Sequence, residues 1–132
     1  MKLFFILFIA ISLLTSCVEL ENRPLIKNNS NYSISFELLP DTIFRPNHPQ
    51  YYVANKILPG KTGSKAWRSG KRFWSSVIEY YSVNQKLNVF IFPTDAIIKY
   101  GCIEYIIKNH LYTRYSFTVE ELDEMDWVIV YP

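Results

Sequence analysis

Apolar positions change their spacing several times along the chain, and each spacing predicts a different element. Residues 3–14 are an almost unbroken apolar run behind a positive Lys2. That length suits the hydrophobic stretch of an export signal, roughly 7–15 residues. A membrane-crossing helix needs about 20 apolar residues, and Ser12, Thr15, Ser16, Glu19, Glu21 and Arg23 end this run too soon. Residues 18–24 are short and charged, the composition of a tether. Residues 25–27 predict a first short strand. Asn28, Asn29, Ser30 and Asn31 predict a turn, because Asn tolerates positive φ and bonds its own backbone. Tyr32, Ile34, Phe36 and Leu38 then alternate with Ser33, Ser35 and Glu37, the period of a strand with one buried face.

Residues 39–50 hold Pro40, Pro46 and Pro49 without a period, which predicts an irregular connection. Residues 51–58 read as the next strand, closed by the turn pair Pro59-Gly60, and residues 66–68 as a brief pairing segment. Phe73, Trp74, Val77, Ile78 and Tyr81 recur at helical spacing and predict a helix over 71–80. Residues 87–92 are mostly apolar, as in a central strand buried on both faces. Pro93 ends that strand, Thr94 or Asp95 caps a short helix, and Gly101 breaks it. Residues 102–109 predict another helical turn or two, with Ile103, Ile106 and Ile107 on one face. Residues 111–117 return to strand, Thr118 and Glu121 have capping-box spacing, and Trp127, Ile129 and Tyr131 alternate in a last strand. The pattern predicts one mainly β, α+β domain over residues 25–132. Its expected form is a small two-layer sandwich or open barrel with two or three short helices in the C-terminal half. An α+β sheet with helices on one face is the alternative.

Size and charge narrow the classes. Without its leader the chain is still long enough to bury a core without disulfide staples. The sequence carries 14 basic and 12 acidic side chains, and losing Lys2 with the leader lowers the formal charge from +2 to +1. Nucleic-acid binding needs a clearly basic face, so no nucleic-acid partner is expected. An aromatic content of 17% favours strands and packed cores.

Leu14-Thr15-Ser16-Cys17 closes the leader. It resembles the bacterial lipobox, in which signal peptidase II cuts before a cysteine already thioether-linked to diacylglycerol. All four positions match the pattern of Leu, two small residues and Cys. The resemblance implies that residues 1–16 are removed as a signal peptide. Cys17 then becomes the lipidated N-terminus, residues 17–24 the tether and the lipid bilayer the first partner. Two or more acyl chains anchor stably where one is marginal. Val18, standing where Asp would signal inner-membrane retention, implies the outer membrane. Glu19 and Glu21 are similar to the acidic surface-export signals of Bacteroidota lipoproteins. With Cys17 acylated, Cys102 has no partner in the chain and reads as a small buried hydrophobe rather than a reactive thiol.

The tail resembles a group of small outer-membrane lipoproteins of Bacteroides and relatives. The matching pieces are Val89-Phe90-Ile91-Phe92, Thr94-Asp95, residues 111–115, Glu120-Glu121-Leu122 and the closing Trp127-Val128-Ile129-Val130-Tyr131-Pro132. Asn28-Asn29-Ser30 and Asp41-Thr42 match more loosely. The resemblance implies an envelope location and brings no active site.

Candidate chemistry is sparse. Gly60-Lys61-Thr62 is similar to the end of a phosphate-binding loop, but that loop needs Gly where Asn55 stands. His48 and His110 have no second His or Cys at metal-ligand spacing, no Gly-x-Ser-x-Gly elbow occurs, and neither metal, cofactor nor catalytic residue is expected. Glu79 and Glu104, in apolar surroundings, are candidates for a raised pKa. With Asp126 they are the acids that a catalytic pocket would hold. Lys65, Trp67, Arg68, Arg72 and Trp74 form a candidate ligand-facing patch for an anionic glycan, lipopolysaccharide or the membrane surface. The plainer reading is a solvated loop with its Trp rings in the core. Tyr51, Tyr52, Trp67 and Trp74 are candidates to stack on sugar rings. The acidic residues 120–126 suit a helix N-terminus and a solvated face. Asp41-Thr42-Ile43 is similar to the O-glycosylation motif of Bacteroidota and marks Thr42 as a candidate acceptor. The expected function is an exported, lipid-anchored envelope domain that binds a protein or glycan, or is structural. The competing class is a small enzyme acting on envelope polysaccharide or peptidoglycan.

Overall fold

The computed structural model describes residues 22–65 and 70–132. The leader and Cys17 lie outside the described residues, as do Trp67, Arg68 and the pairing segment predicted over 66–68. The chain runs β1 (Leu25–Asn28), β2 (Ile34–Leu39), α1 (Pro49–Ala54), β3 (Thr62–Ser64), α2 (Gly70–Tyr81), β4 (Leu87–Pro93), α3 (Thr94–Tyr100), α4 (Ile103–Lys108), β5 (Thr113–Phe117), α5 (Val119–Glu124) and β6 (Val128–Tyr131). The domain is a mixed α+β fold of two three-stranded sheets, ordered β3-β1-β6 and β2-β4-β5. β1 pairs antiparallel with β3 and parallel with β6. β4 runs antiparallel between β2 and β5. No helix among the described residues is long and apolar enough to cross a membrane.

The apolar run of β4 explains the layering. Its side chains alternate between two cores, and both are sealed. Leu87, Val89 and Ile91 join Ile34, Phe36, Leu38, Ile26, Trp127 and Ile129 in a core between the two sheets, closed by Trp74 and Ile78 of α2 and Leu122 of α5. Phe90 and Phe92 face the other way, where Tyr52 of α1, Ile97 of α3 and Ile103 and Ile106 of α4 cover them. A buried Phe or Ile of this kind stabilises by about 1.5–3 kcal/mol, so β4 fixes the position of every layer.

Local chemistry sets the element ends. α5 opens on a full capping box: the Glu121 amide donates to Thr118 Oγ1 at 3.2 Å, and the Thr118 amide donates to Glu121 Oε2 at 2.8 Å. Gly101 ends α3 at φ 60°, a left-handed conformation that costs Gly little. Thr94 and Asp95 do not cap that helix. Pro93 holds the cap position, and the Thr94 hydroxyl lies 3.0 Å from Ser35 Oγ.

Three further expectations are corrected. Residues 51–58 do not form a strand. Pro49 opens a helix with His48 as its N-cap, and only Ile57 makes an antiparallel bridge, to Ile34. Tyr and Val favour strands, but Pro at the first helical position is already set for a helix, and Tyr52 buries its ring against Phe92. Nor does β2 have a wet face. Ser35 and Glu37 are buried beside α1, where Ser35 Oγ donates to the Tyr52 carbonyl at 2.8 Å. Cys102 is exposed at the start of α4 rather than buried.

Candidate functional site

A cleft of about 750 Å³ opens between α1 and β3. Its walls follow from a tight return of the chain. Gly60, at φ 71°, turns the backbone after Leu58, and the Gly60 and Lys61 amides are spent on the carbonyls of Asn28 and Leu58. Residues 55–58 and 61–65 therefore face one another as two walls. Gly63 is required at the floor: a Cβ there would lie 2.6 Å from Ile57 Cγ1, closer than carbon atoms approach. Lys56, Lys61, Lys65, Tyr51, Asn55, Thr62 and Ser64 supply the polar and aromatic lining, with Phe36, Tyr52 and Ile57 behind them.

Under this cleft sits Glu37, only 7% exposed. Both of its oxygens are engaged. Oε1 takes the Lys65 ammonium and the Leu38 amide. Oε2 takes the Tyr52 hydroxyl at 3.1 Å and Asn47 Nδ2 at 3.0 Å. The Tyr52 hydroxyl in turn accepts from the Asn47 amide at 3.0 Å. Burial, and after it the Glu37 carboxylate, push the Tyr52 phenol upward against the opposing pull of the Asn47 amide, so Tyr52 keeps its proton. The Lys65 ammonium also lies 5.6 Å from the Phe36 ring centre and 5.2 Å from that of Tyr51, within cation–π range. No acidic residue is among the described residues lining the cleft, and residues 66–69 contain none. Lys56 and Lys61 have no acidic partner among the described residues, so the cleft is positive.

Smaller grooves also open among the described residues. One of about 470 Å³ collects Asp95, Lys99, Tyr100, His110, Tyr112 and Tyr131. Another of about 460 Å³ holds Glu79 and Glu120 with Asn84, Gln85 and Thr118. Between the β1–β2 connection and β6, the Tyr32 and Tyr131 hydroxyls meet at 2.6 Å. That hydrogen bond first, then burial, then the neighbouring Tyr131 and Tyr115 raise the Tyr32 phenol to about 12.

The sequence candidates scatter. Lys65 lies on the cleft, but its charge is committed to Glu37. Arg72 is exposed on α2. Trp74 is not ligand-facing: it is 4% exposed in the core between the sheets. Of the proposed stacking rings, Tyr51 is exposed at the cleft and Tyr52 is buried in the other core. Glu104 is fully exposed, and its carboxyl is lowered rather than raised, first by a backbone hydrogen bond and then by the Cys102 thiol. Asp126 is exposed and paired with Arg23, away from any groove described above. His48 caps α1, and the His110 ring lies 6.3 Å from that of Tyr112. Thr42 is exposed in the loop after β2, next to an Asp41 side chain that accepts from the Ile43 amide at 3.1 Å. No group of three or more His, Cys, Asp or Glu among the described residues is arranged to hold a metal ion.

Glu37 and Lys56 are site residues that the sequence pattern does not single out. Glu37 was disguised by its alternation with apolar neighbours, and Lys56 by its place in a segment read as strand. His48-Pro49 was the available signal for α1, since His48 could cap and Pro49 could open a helix. No family model, curated protein or solved structure matches this chain.

Proposed function

We propose that the chain is exported, cut before Cys17 and held on the outer membrane by acyl chains on that cysteine. Its 25–132 domain binds an envelope glycan or protein without transforming it. The four matching lipobox positions support the anchor, and the short charged composition of residues 18–24 supports a tether.

The observation that carries the binding role is the cleft between α1 and β3. It has the volume of a small-molecule site, an exposed ring, and two lysines without an acidic partner among the described residues. The carboxylate beneath it is already engaged by four donors. Such a site recognises by charge and shape.

A second reading, hydrolysis of an envelope polysaccharide, is favoured by Glu79 and Glu120 sharing one groove, since glycoside hydrolysis uses a pair of carboxyl groups. Incubating the purified protein with envelope polysaccharides and resolving the products separates the two. Intact substrate supports the binding role. New reducing ends that vanish in Glu79→Gln and Glu120→Gln variants overturn it in favour of the enzyme.

A further inference from the structure

We propose, resting on the binding role above, that the α1–β3 cleft takes an acidic sugar: a pyranose ring bearing a carboxylate or sulfate. Lys56 and Lys61 hold the anion, and Tyr51 receives the ring face.

Charge selects the anion. Of the three lysines on the walls, Lys65 is neutralised by Glu37. Lys56 and Lys61 are exposed, lack acidic partners among the described residues and stand on opposite walls of one concave surface. Like charges lining a cleft concentrate an oppositely charged ligand there. The backbone does not make a phosphate cradle at this turn, because the Gly60 and Lys61 amides are already bonded. The anion is therefore met by ammonium groups on flexible stems, which suits a group displayed on a larger ligand.

Ring chemistry selects the sugar. Tyr51 is the one exposed aromatic ring among the described lining residues, 39% exposed. Its orientation is set edge-on to Tyr52, with ring centres 5.4 Å apart and planes at 81°, and the Lys65 ammonium sits over it. A held ring loses little freedom on binding. One exposed ring beside polar groups suits the apolar face of a pyranose. Asn55, Thr62 and Ser64 are exposed along the same walls to meet its hydroxyls.

The test uses the full-length lipoprotein in a non-ionic detergent, titrated calorimetrically with three probes of matched length. These are oligogalacturonate, a sulfated oligosaccharide and a neutral cello-oligosaccharide. The proposal expects acidic probes to bind, with affinity falling as salt rises, and the neutral one not to bind. A preference between the first two identifies the carboxylate or the sulfate. Lys56→Ala with Lys61→Ala is expected to weaken binding at least tenfold, Lys56→Arg with Lys61→Arg to retain it, and Tyr51→Ala to weaken it several-fold. Chemical-shift changes at Tyr51, Lys56 and Lys61 of the unaltered protein locate the ligand independently of any variant. Equal binding of the neutral probe, acidic binding that ignores both lysines, or equal competition by polyglutamate overturns the proposal. Absence of binding to a protein shown to be acylated at Cys17 overturns this assignment and leaves the anchored role standing, whereas turnover of the probe overturns the binding role itself.

Discussion

Lys65, just past β3, sets its ammonium on the carboxylate of Glu37, the one buried acidic side chain among the described residues. The pair ties the cleft to the sheet beneath it. It also explains how β2 buries both faces: the polar side of its alternation is satisfied by Lys65, Asn47 and Tyr52 rather than by water. Removing one partner of such a pair strands the other in a poorly solvated place. Lys65→Met is expected to destabilise the domain by about 3 kcal/mol, and Glu37→Gln together with Lys65→Met by less. Urea unfolding of the singles and the double checks this. Additive losses would mean that the two side chains are not coupled.

The floor of the cleft makes a steric prediction. Gly63→Ala drives a methyl group onto Ile57 Cγ1 and is expected to cost about 1–3 kcal/mol, the range for overpacked sites. Ile57→Val, which shortens the obstructing side chain, relieves part of that loss in the double variant. Thermal melts of the four proteins report the outcome. An unaltered melting temperature in Gly63→Ala would show that the two walls do not meet as described.

Alkaline titration addresses the contact between the β1–β2 connection and β6. The Tyr32 phenol is raised from 10.0 to about 12, so the folded protein holds this proton more tightly than the unfolded chain. The associated stability is complete below pH 10 and is lost as pH rises from 10 towards 12. Phenolate absorbance should therefore show a late-titrating tyrosine that moves down towards 10 in Tyr131→Phe. Tyr52, also pushed upward by burial, stays late in that variant. A titration that Tyr131→Phe leaves unchanged would remove the hydroxyl pair from the account.

Much of the fold was legible where one local pattern had no competitor. The capping box at Thr118, the left-handed stop at Gly101 and the double-sided apolar run of β4 each specify their structure within a few residues. The errors came where tertiary packing outweighed local preference. Tyr51 and Tyr52 favour strand by type, yet a buried Tyr52 and a helix-opening Pro49 make α1. Glu37 reads as solvent-facing because period two cannot distinguish a wet face from a polar buried one. The site was less legible still, because the cleft brings together Tyr51 and Lys61 from segments separated by a turn.

Modification of Thr42 is a separate expectation. The residue is exposed in an irregular loop, open to a transferase. Protein purified from its native envelope is expected to carry glycan mass that Thr42→Ala removes, with unfolding unaffected. Native protein and the Thr42→Ala variant of equal peptide mass, apart from the substitution, would withdraw the assignment.

The most direct test is the intact mass of the native protein, followed by sequencing of its N-terminal peptide. The account predicts a chain starting at Cys17 and carrying diacylglycerol on its sulfur, with the fatty-acyl mass lost in Cys17→Ser. A mature chain with an unmodified Cys17, or one retaining residues 1–16, would contradict it.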